Sequence, residues 1–209
     1  MASYKNAVEK TIENLSRRQF AAYYCETSKE ARDLALSLIP EGDKVAWGGS
    51  KTAEQIGLIE AVRTAGKFSV VDRDKAACPE EKAALMREGL TADTFISGIN
   101  ALSTDGWIVN IDGTGNRVAA TIYGPRNIIF VVGVNKLVDG GVDAAIERAR
   151  NVAAPLNAQR FDIATPCKTT GKCADCLSPS TICSQFVLTR FCKPAGRIKV
   201  IIVGESLGM

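Results

Sequence analysis

The run from Ile128 to Val134, IIFVVGV, constrains this chain more than any other stretch. A strand points successive side chains to opposite faces, so a run with no polar side chain has no face to give to water. Both faces must be covered, as for a central strand of a parallel sheet with helices on each side. The run is also far too short to cross a bilayer, which takes about 20 apolar residues in a helix.

The rest of the chain reads as strands alternating with helices. The N-terminal segment 1–20 predicts a helix over residues 3–20, with Val8, Ile12 and Leu15 on one face. Strands are expected at Ala21–Cys25, Lys44–Trp47, Phe68–Asp72, Thr94–Ile99 and Arg197–Val203. Helices are expected from Thr27 or Ser28 to about Ile39, from the Gly48-Gly49 turn to about Thr64, from Pro79 to about Glu88, and from Asp139 to about Asn157. This alternation predicts a single α/β domain over residues 1–209, a three-layer sandwich with a mostly parallel sheet. A hairpin from about Leu102 to Tyr123 adds antiparallel strands, and a Cys-rich insertion occupies residues 165–185.

Composition narrows the function. Twenty-six basic residues stand against 23 acidic ones, a net charge of +3 that gives no basis for nucleic-acid binding. The N-terminal segment is charged and lacks an apolar signal core, so the expected location is cytoplasmic, with no membrane span. There is no histidine. Ser-His-Asp and Cys-His catalysis and imidazole metal ligation are therefore excluded, and proton chemistry falls to carboxylates, Lys, Cys or a ligand.

Two stretches suggest a ligand site. Asn100–Tyr123, NALSTDGWIVNIDGTGNRVAATIY, crowds carboxylates, amides and turn glycines between alternating apolar residues, as a hairpin framing a pocket would. Within it, Asn100, Asn110 and Asn116 each offer a donor and an acceptor. Gly113, Thr114 and Gly115 form a small polar turn, and Arg117 can pair bidentately with a carboxylate or phosphate. The other stretch is Gly48-Gly49-Ser50-Lys51-Thr52, between a strand and a helix. There the backbone can approach an anion closely, the Ser50 and Thr52 hydroxyls can donate, and a helix N-terminus adds partial positive charge. It is neither a Walker A loop nor a GxGxxG motif. Lys136 follows the buried strand, where ligands of parallel sheets collect. Ordinary turns, a surface strand residue at Arg117 and a solvated Lys136 are the alternatives.

The segments GGSKTAEQIGL, FISGINALSTDGWIVNIDGTGNRVAATIYGP, VVGVNKLV, RARNVAAPLNAQR and TPCKTTGKCADCLSPSTIC together resemble the lactate-utilisation (LUD) domain proteins, from about residue 5 to the end. The resemblance implies a fold like that of ribose-5-phosphate isomerase, glucosamine-6-phosphate deaminase and CoA transferases. It also implies an accessory role in iron–sulfur-dependent oxidation of lactate to pyruvate. More distantly, Gly98–Thr114 resembles methylthioribose-1-phosphate isomerase and translation initiation factor 2B proteins, matching at Gly98, Gly106, Asn110, Gly113 and Thr114. Asn100 stands where that family has its catalytic Asp, and Asn cannot exchange a proton as a carboxylate does. Asp105 and Asp112 are then the candidate catalytic carboxylates.

Cys167, Cys173, Cys176 and Cys183 fall within one short segment. Four thiolates can close on one tetrahedral Zn²⁺ or one [4Fe–4S] cluster, and the spacing matches neither the two-knuckle zinc pattern nor the bacterial ferredoxin run. Reduced thiols in a packed loop, or a redox pair, are the alternatives. The electron-handling partners that the resemblance implies favour iron–sulfur. Cys25, Cys78 and Cys192 read as buried or incidental thiols. The leading expectation is a lactate-utilisation accessory protein that binds a small anion (lactate, a sugar phosphate or a nucleotide-like ligand) and meets an iron–sulfur protein partner. The alternatives are an enzyme acting on a sugar phosphate or CoA-type substrate, and a metal-binding interaction module. Oligomerisation is left open.

Overall fold

The computed structural model describes residues 2–209. Its elements in chain order are α1 (Ala2–Arg17), β1 (Ala21–Cys25), α2 (Ser28–Ser37), β2 (Lys44–Trp47), α3 (Lys51–Gln55), α4 (Leu58–Thr64), β3 (Ser69–Val71), α5 (Pro79–Glu88) and β4 (Thr94–Gly98). They continue with β5 (Ala101–Ser103), β6 (Ile108–Asp112), α6 (Asn116–Tyr123), β7 (Asn127–Gly133), β8 (Leu137–Val138), α7 (Val142–Arg148), α8 (Ala154–Ala158), α9 (Pro166–Thr170), β9 (Gln185–Thr189) and β10 (Ile198–Val203).

A six-stranded sheet in the order β1-β10-β7-β4-β2-β3 has every neighbouring pair parallel. β7 lies inside it, between β10 and β4. Its odd and even residues divide between two cores. Ile128, Phe130 and Val132 join Val8 and Leu15 of α1 and Ala120 of α6, while Ile129 and Val131 join Ala31 and Ala35 of α2, Ala53 of α3 and Leu58 of α4. Each fully buried side chain of this size contributes roughly 1.5–3 kcal/mol relative to exposure, which fixes the apolar run at the centre of the sheet. The outcome is a three-layer α/β sandwich, as the alternation predicts.

A second, four-stranded sheet in the order β8-β5-β6-β9 is mixed: β5–β6 and β6–β9 are antiparallel and β5–β8 is parallel. Its Ala101, Val109 and Ile111 pack on Ala145, Ala149 and Ala154 of the α7–α8 segment.

Local chemistry explains most element boundaries. Thr27 and Glu30 close a capping box on α2. Pro79 occupies the first turn of α5, where no backbone N–H is needed. Four expectations need correction. The helix after the Gly48-Gly49 turn is broken at Gly57, whose φ of 72° is left-handed and costs a glycine little. The hairpin ends at Asp112, and Asn116–Tyr123 is a helix rather than a third strand. There Val118 and Thr121, three residues apart, are both buried, which is a helical spacing, while Val118 and Ala120 by themselves imitate period-2 alternation. The last long helix starts at Val142 rather than Asp139 and carries a π-helical turn over Ala149–Ala153 between α7 and α8. β8 and β9 are strands that the sequence reading leaves out.

Candidate functional site

The carboxyl ends of β2, β4 and β7 open into a cleft of about 420 Å³. This is where ligands bind in open parallel sheets. Gly48, Gly49, Ser50, Asn100, Asp112, Gly113, Thr114, Asn116, Arg117 and Lys136 all line it. Thr52 is reached through Lys136, while Asn110 and Gly115 lie behind the wall and fix other groups.

Arg117 organises the floor. Its Nε donates to Asp112 Oδ2 (3.0 Å), its Nη1 to Gly98 O (3.2 Å) and Asn110 Oδ1 (2.7 Å), and its Nη2 to Asn100 Oδ1 (3.2 Å) and Ile111 O (2.7 Å). A guanidinium has five N–H donors, and all five are used within the protein. The expectation that Arg117 clamps a ligand bidentately is therefore corrected: it is a structural cation. Burial pulls its pKa down, and the Asp112 charge works against that pull. Asp112 is equally committed, because its other oxygen accepts from Gly115 N (3.0 Å). Gly48 makes the floor possible. A Cβ there would stand 2.7 Å from Arg117 Cγ.

Asn100 and Asn110 turn their side-chain oxygens to Arg117, and Asn100 Oδ1 also accepts from Ile111 N (2.9 Å). Asn100 Nδ2 has no partner among the described residues, so it is a donor open to a ligand. Asp105 is elsewhere. It lies in the β5–β6 turn, 3.8 Å from Lys10 Nζ, and does not line the cleft. Its candidacy as a catalytic carboxylate is corrected on that ground, and that of Asp112 is weakened by its two hydrogen bonds.

Two largely buried cations of the cleft have no carboxylate at hydrogen-bond distance. Lys136 is 5% exposed, and its Nζ donates to Thr52 Oγ1 (2.9 Å). Burial, then Arg148 and Arg117, pull its pKa down to about 7. Arg73 follows β3 in a 3₁₀ turn, with its Nε buried and lacking a hydrogen-bond partner. The nearest carboxylate oxygen, Asp74 Oδ1, is 3.6 Å from that Nε, and Asp74 Oδ2 accepts from Trp47 Nε1 (2.8 Å). The Asn116 amide satisfies both its ends when its nitrogen donates to Thr114 Oγ1 (2.7 Å) and its oxygen accepts from Arg73 Nη1 (3.2 Å). Arg73 Nη2 lies against Gly49, where a Cβ would stand 3.3 Å away.

Six basic side chains (Lys51, Arg73, Lys82, Arg117, Lys136, Arg160) and three acidic ones (Glu54, Asp74, Asp112) line the cleft. Lys51 pairs with Glu54 at 3.3 Å and Arg117 with Asp112. The remainder is positive and suits an anion. Arg73 and Arg148 have no motif around them. Arg73 could have been found from its place just past a parallel strand. Arg148 falls inside a predicted helix, yet its Nε donates to Asn135 O (3.2 Å) and its Nη1 to Asn100 O, tying the ends of β7 and β4 together.

The four clustered cysteines line one small cavity of about 50 Å³, with Arg150 beside them. Arg150 Nη2 lies 3.7 Å from Cys173 Sγ and donates to Asp175 Oδ1 (2.7 Å). Burial, then the other three cysteines, push the Cys183 thiol up to about 11. Among the described residues no three Cys, Asp or Glu side chains stand close enough to share one metal ion. The four thiols share one cavity, and thiol donors of this kind suit a zinc ion or an iron–sulfur cluster alike. Ile111 and Ile182 line both this cavity and the cleft, forming the wall between them.

A family model described as LUD domain matches residues 8–203. No curated protein matches the sequence. Among solved structures, a DUF162 family protein from Deinococcus radiodurans aligns with a TM-score of 0.52 and 16% identity, covering 97% of each chain, which shows a common fold. Ribose 5-phosphate isomerase A from Neisseria gonorrhoeae aligns over 54% of this chain and 53% of that one (TM-score 0.35, 17% identity). eIF2B beta from Chaetomium thermophilum aligns over 56% of this chain and 44% of that one (TM-score 0.36, 21% identity).

Proposed function

The chain belongs to the LUD domain family, and we propose that it serves lactate utilisation as an accessory protein, binding a small anion in the cleft beyond β2, β4 and β7. The observation that carries this reading is the pair Arg73 and Lys136, two largely buried cations on one cleft, the first with only Asp74 at 3.6 Å and the second with no carboxylate at ion-pair distance among the described residues. Poorly compensated buried charge is costly and is relieved by a counter-charge from a ligand. Lactate, pyruvate and phosphorylated sugars all carry one.

The commitment of Arg117 and Asp112 to each other favours binding over acid–base catalysis by a carboxylate. Asn100 in the acid's place points the same way. Cys167, Cys173, Cys176 and Cys183 would hold a [4Fe–4S] cluster, and such a cluster supplies one-electron transfer. Arg150 would balance the negative charge of the thiolates. With only the Ile111–Ile182 wall between cavity and cleft, a bound anion would lie close to that centre. An iron–sulfur protein partner would extend the same route.

The test is a thermal-shift screen of lactate, pyruvate, sugar phosphates, nucleotides and CoA. A shift with a small anion that is lost in Gly49→Asp supports the cleft. Absence of any shift, or persistence of the shift in Gly49→Asp, overturns it. The protein as an enzyme on its own is a second reading, favoured by one observation, the burial of the Lys136 amine on the cleft with no carboxylate at ion-pair distance among the described residues.

A further inference from the structure

We propose that Lys136 is a nucleophilic amine that captures a carbonyl-bearing anion in the cleft as an imine. This rests on the anion-binding reading and adds the class of ligand: an aldehyde or ketone that also carries a carboxylate or phosphate.

The geometry has three parts. Lys136 ends the 3₁₀ turn Val134–Lys136 that follows β7, so a rigid strand holds its backbone at the cleft. Its side chain is buried, and no carboxylate lies within ion-pair distance of Nζ among the described residues. Lysines of this kind are activated by removal from water and by neighbouring cations. Here the cations are Arg148 and Arg117, and with burial they bring the amine to about 7. An ordinary surface lysine titrates near 10.4 and is neutral in about one molecule in 2,500 at pH 7. Lys136 is neutral in roughly half. The Thr52 hydroxyl, which accepts from Nζ, holds the amine in place.

The step needs no oxidant or reductant. The lone pair of Nζ forms a C–N bond to the carbonyl carbon as the C=O π bond opens, and one amine proton passes to the oxygen. The resulting carbinolamine breaks its C–O bond, the hydroxyl leaves with the second amine proton as water, and C=N remains. Arg73 and the open amide of Asn100 face the same cleft and can hold the anionic group. A hydroxy acid such as lactate has no carbonyl and can occupy the cleft without forming the bond.

The experiment is reductive trapping. Wild-type protein is incubated with pyruvate or with glyceraldehyde 3-phosphate plus sodium cyanoborohydride, and the adduct is located by intact mass and peptide mapping. One adduct per chain at Lys136 is expected, suppressed by excess lactate and absent in Lys136→Met and Lys136→Arg. Labelling by pyruvate alone assigns the carboxylate class, and labelling by the phosphate compound alone the phosphate class. If a variant fails to fold, lactate competition on wild type decides: protection of Lys136 but not of surface lysines supports the proposal. Labelling spread over surface lysines without enrichment at Lys136 overturns the imine. So does no labelling while lactate or phosphate still shifts the melting temperature, and in that case the anion-binding reading stands. No labelling together with no shift by any anion overturns both.

Discussion

Arg117 Nε meets Asp112 Oδ2 at 3.0 Å, and the two residues that looked most like ligand-binding and catalytic groups are spent on each other. The remaining guanidinium donors go to Gly98, Asn110, Asn100 and Ile111. Arg117→Met leaves the Asp112 carboxylate buried without its partner. Removing one member of such a pair costs about 3–5 kcal/mol, and urea denaturation is expected to show a loss of that size. A loss below about 1 kcal/mol, the range of a surface pair, would contradict the structural role.

Gly48 and Gly49 differ although they are adjacent. Gly48 is buried and a Cβ would press into Arg117 Cγ, whereas Gly49 is exposed and faces only the tip of Arg73. Gly48→Ala is expected to destabilise by about 1–3 kcal/mol, the usual cost of overpacking. Gly49→Ala should fold with nearly wild-type stability and weaken anion binding by displacing Arg73. Equal stability losses at the two positions would contradict this division.

Lys136 gives a pH signature with a definite sign. Its pKa is about 7 in the folded protein and about 10.4 in an unfolded chain. Between those values the unfolded chain holds more protons at this position, so the stability it contributes rises with pH. Its cost is fully present below pH 7 and is relieved toward pH 10. Between pH 7 and 9 the difference in stability between wild type and Lys136→Met is expected to change by roughly 2–3 kcal/mol. Anion affinity runs the opposite way and falls as pH rises through 7, because the protonated amine attracts the ligand. Parallel stability profiles for the two proteins would contradict the buried, unpaired placement.

The cysteine cavity makes a prediction of composition. Anaerobically isolated protein is expected to contain about four iron and four acid-labile sulfide per chain. Cys183→Ser should lose both. Metal-free wild-type protein would overturn the cluster, and zinc without sulfide would replace it with the single-ion alternative.

Much of the fold is legible in the sequence because its signals are local. The apolar run at Ile128–Val134 demands a two-sided burial, and Pro79 and Thr27 with Glu30 mark boundaries through their own backbone chemistry, whereas the helix break at Gly57 is not read. Asn116–Tyr123 misleads because a short helix buried on one face can also satisfy a period-2 pattern. The cleft is legible as a set of residues, but not as a division of labour. That Arg117 is saturated and Arg73 is open depends on which acceptors tertiary folding brings within 3.2 Å, and neither arginine's neighbours in the chain reveal it. Asp105 misleads in the opposite way. It is close to the site in sequence and lies at the far turn of β5–β6, beside Lys10.

The most direct measurement is a calorimetric titration of wild type and Arg73→Ala with lactate, pyruvate and glyceraldehyde 3-phosphate at pH 6.5. Wild type is expected to bind at least one of these anions at a single site. Arg73→Ala should fold with little loss, since it removes an Nε without a hydrogen bond and a single 3.6 Å contact to Asp74, and should bind that anion about 10- to 100-fold more weakly, the loss of a charged hydrogen bond of 1.5–3 kcal/mol. Equal affinity in the two proteins, or no binding by wild type, would contradict an anion site built on Arg73 and Lys136.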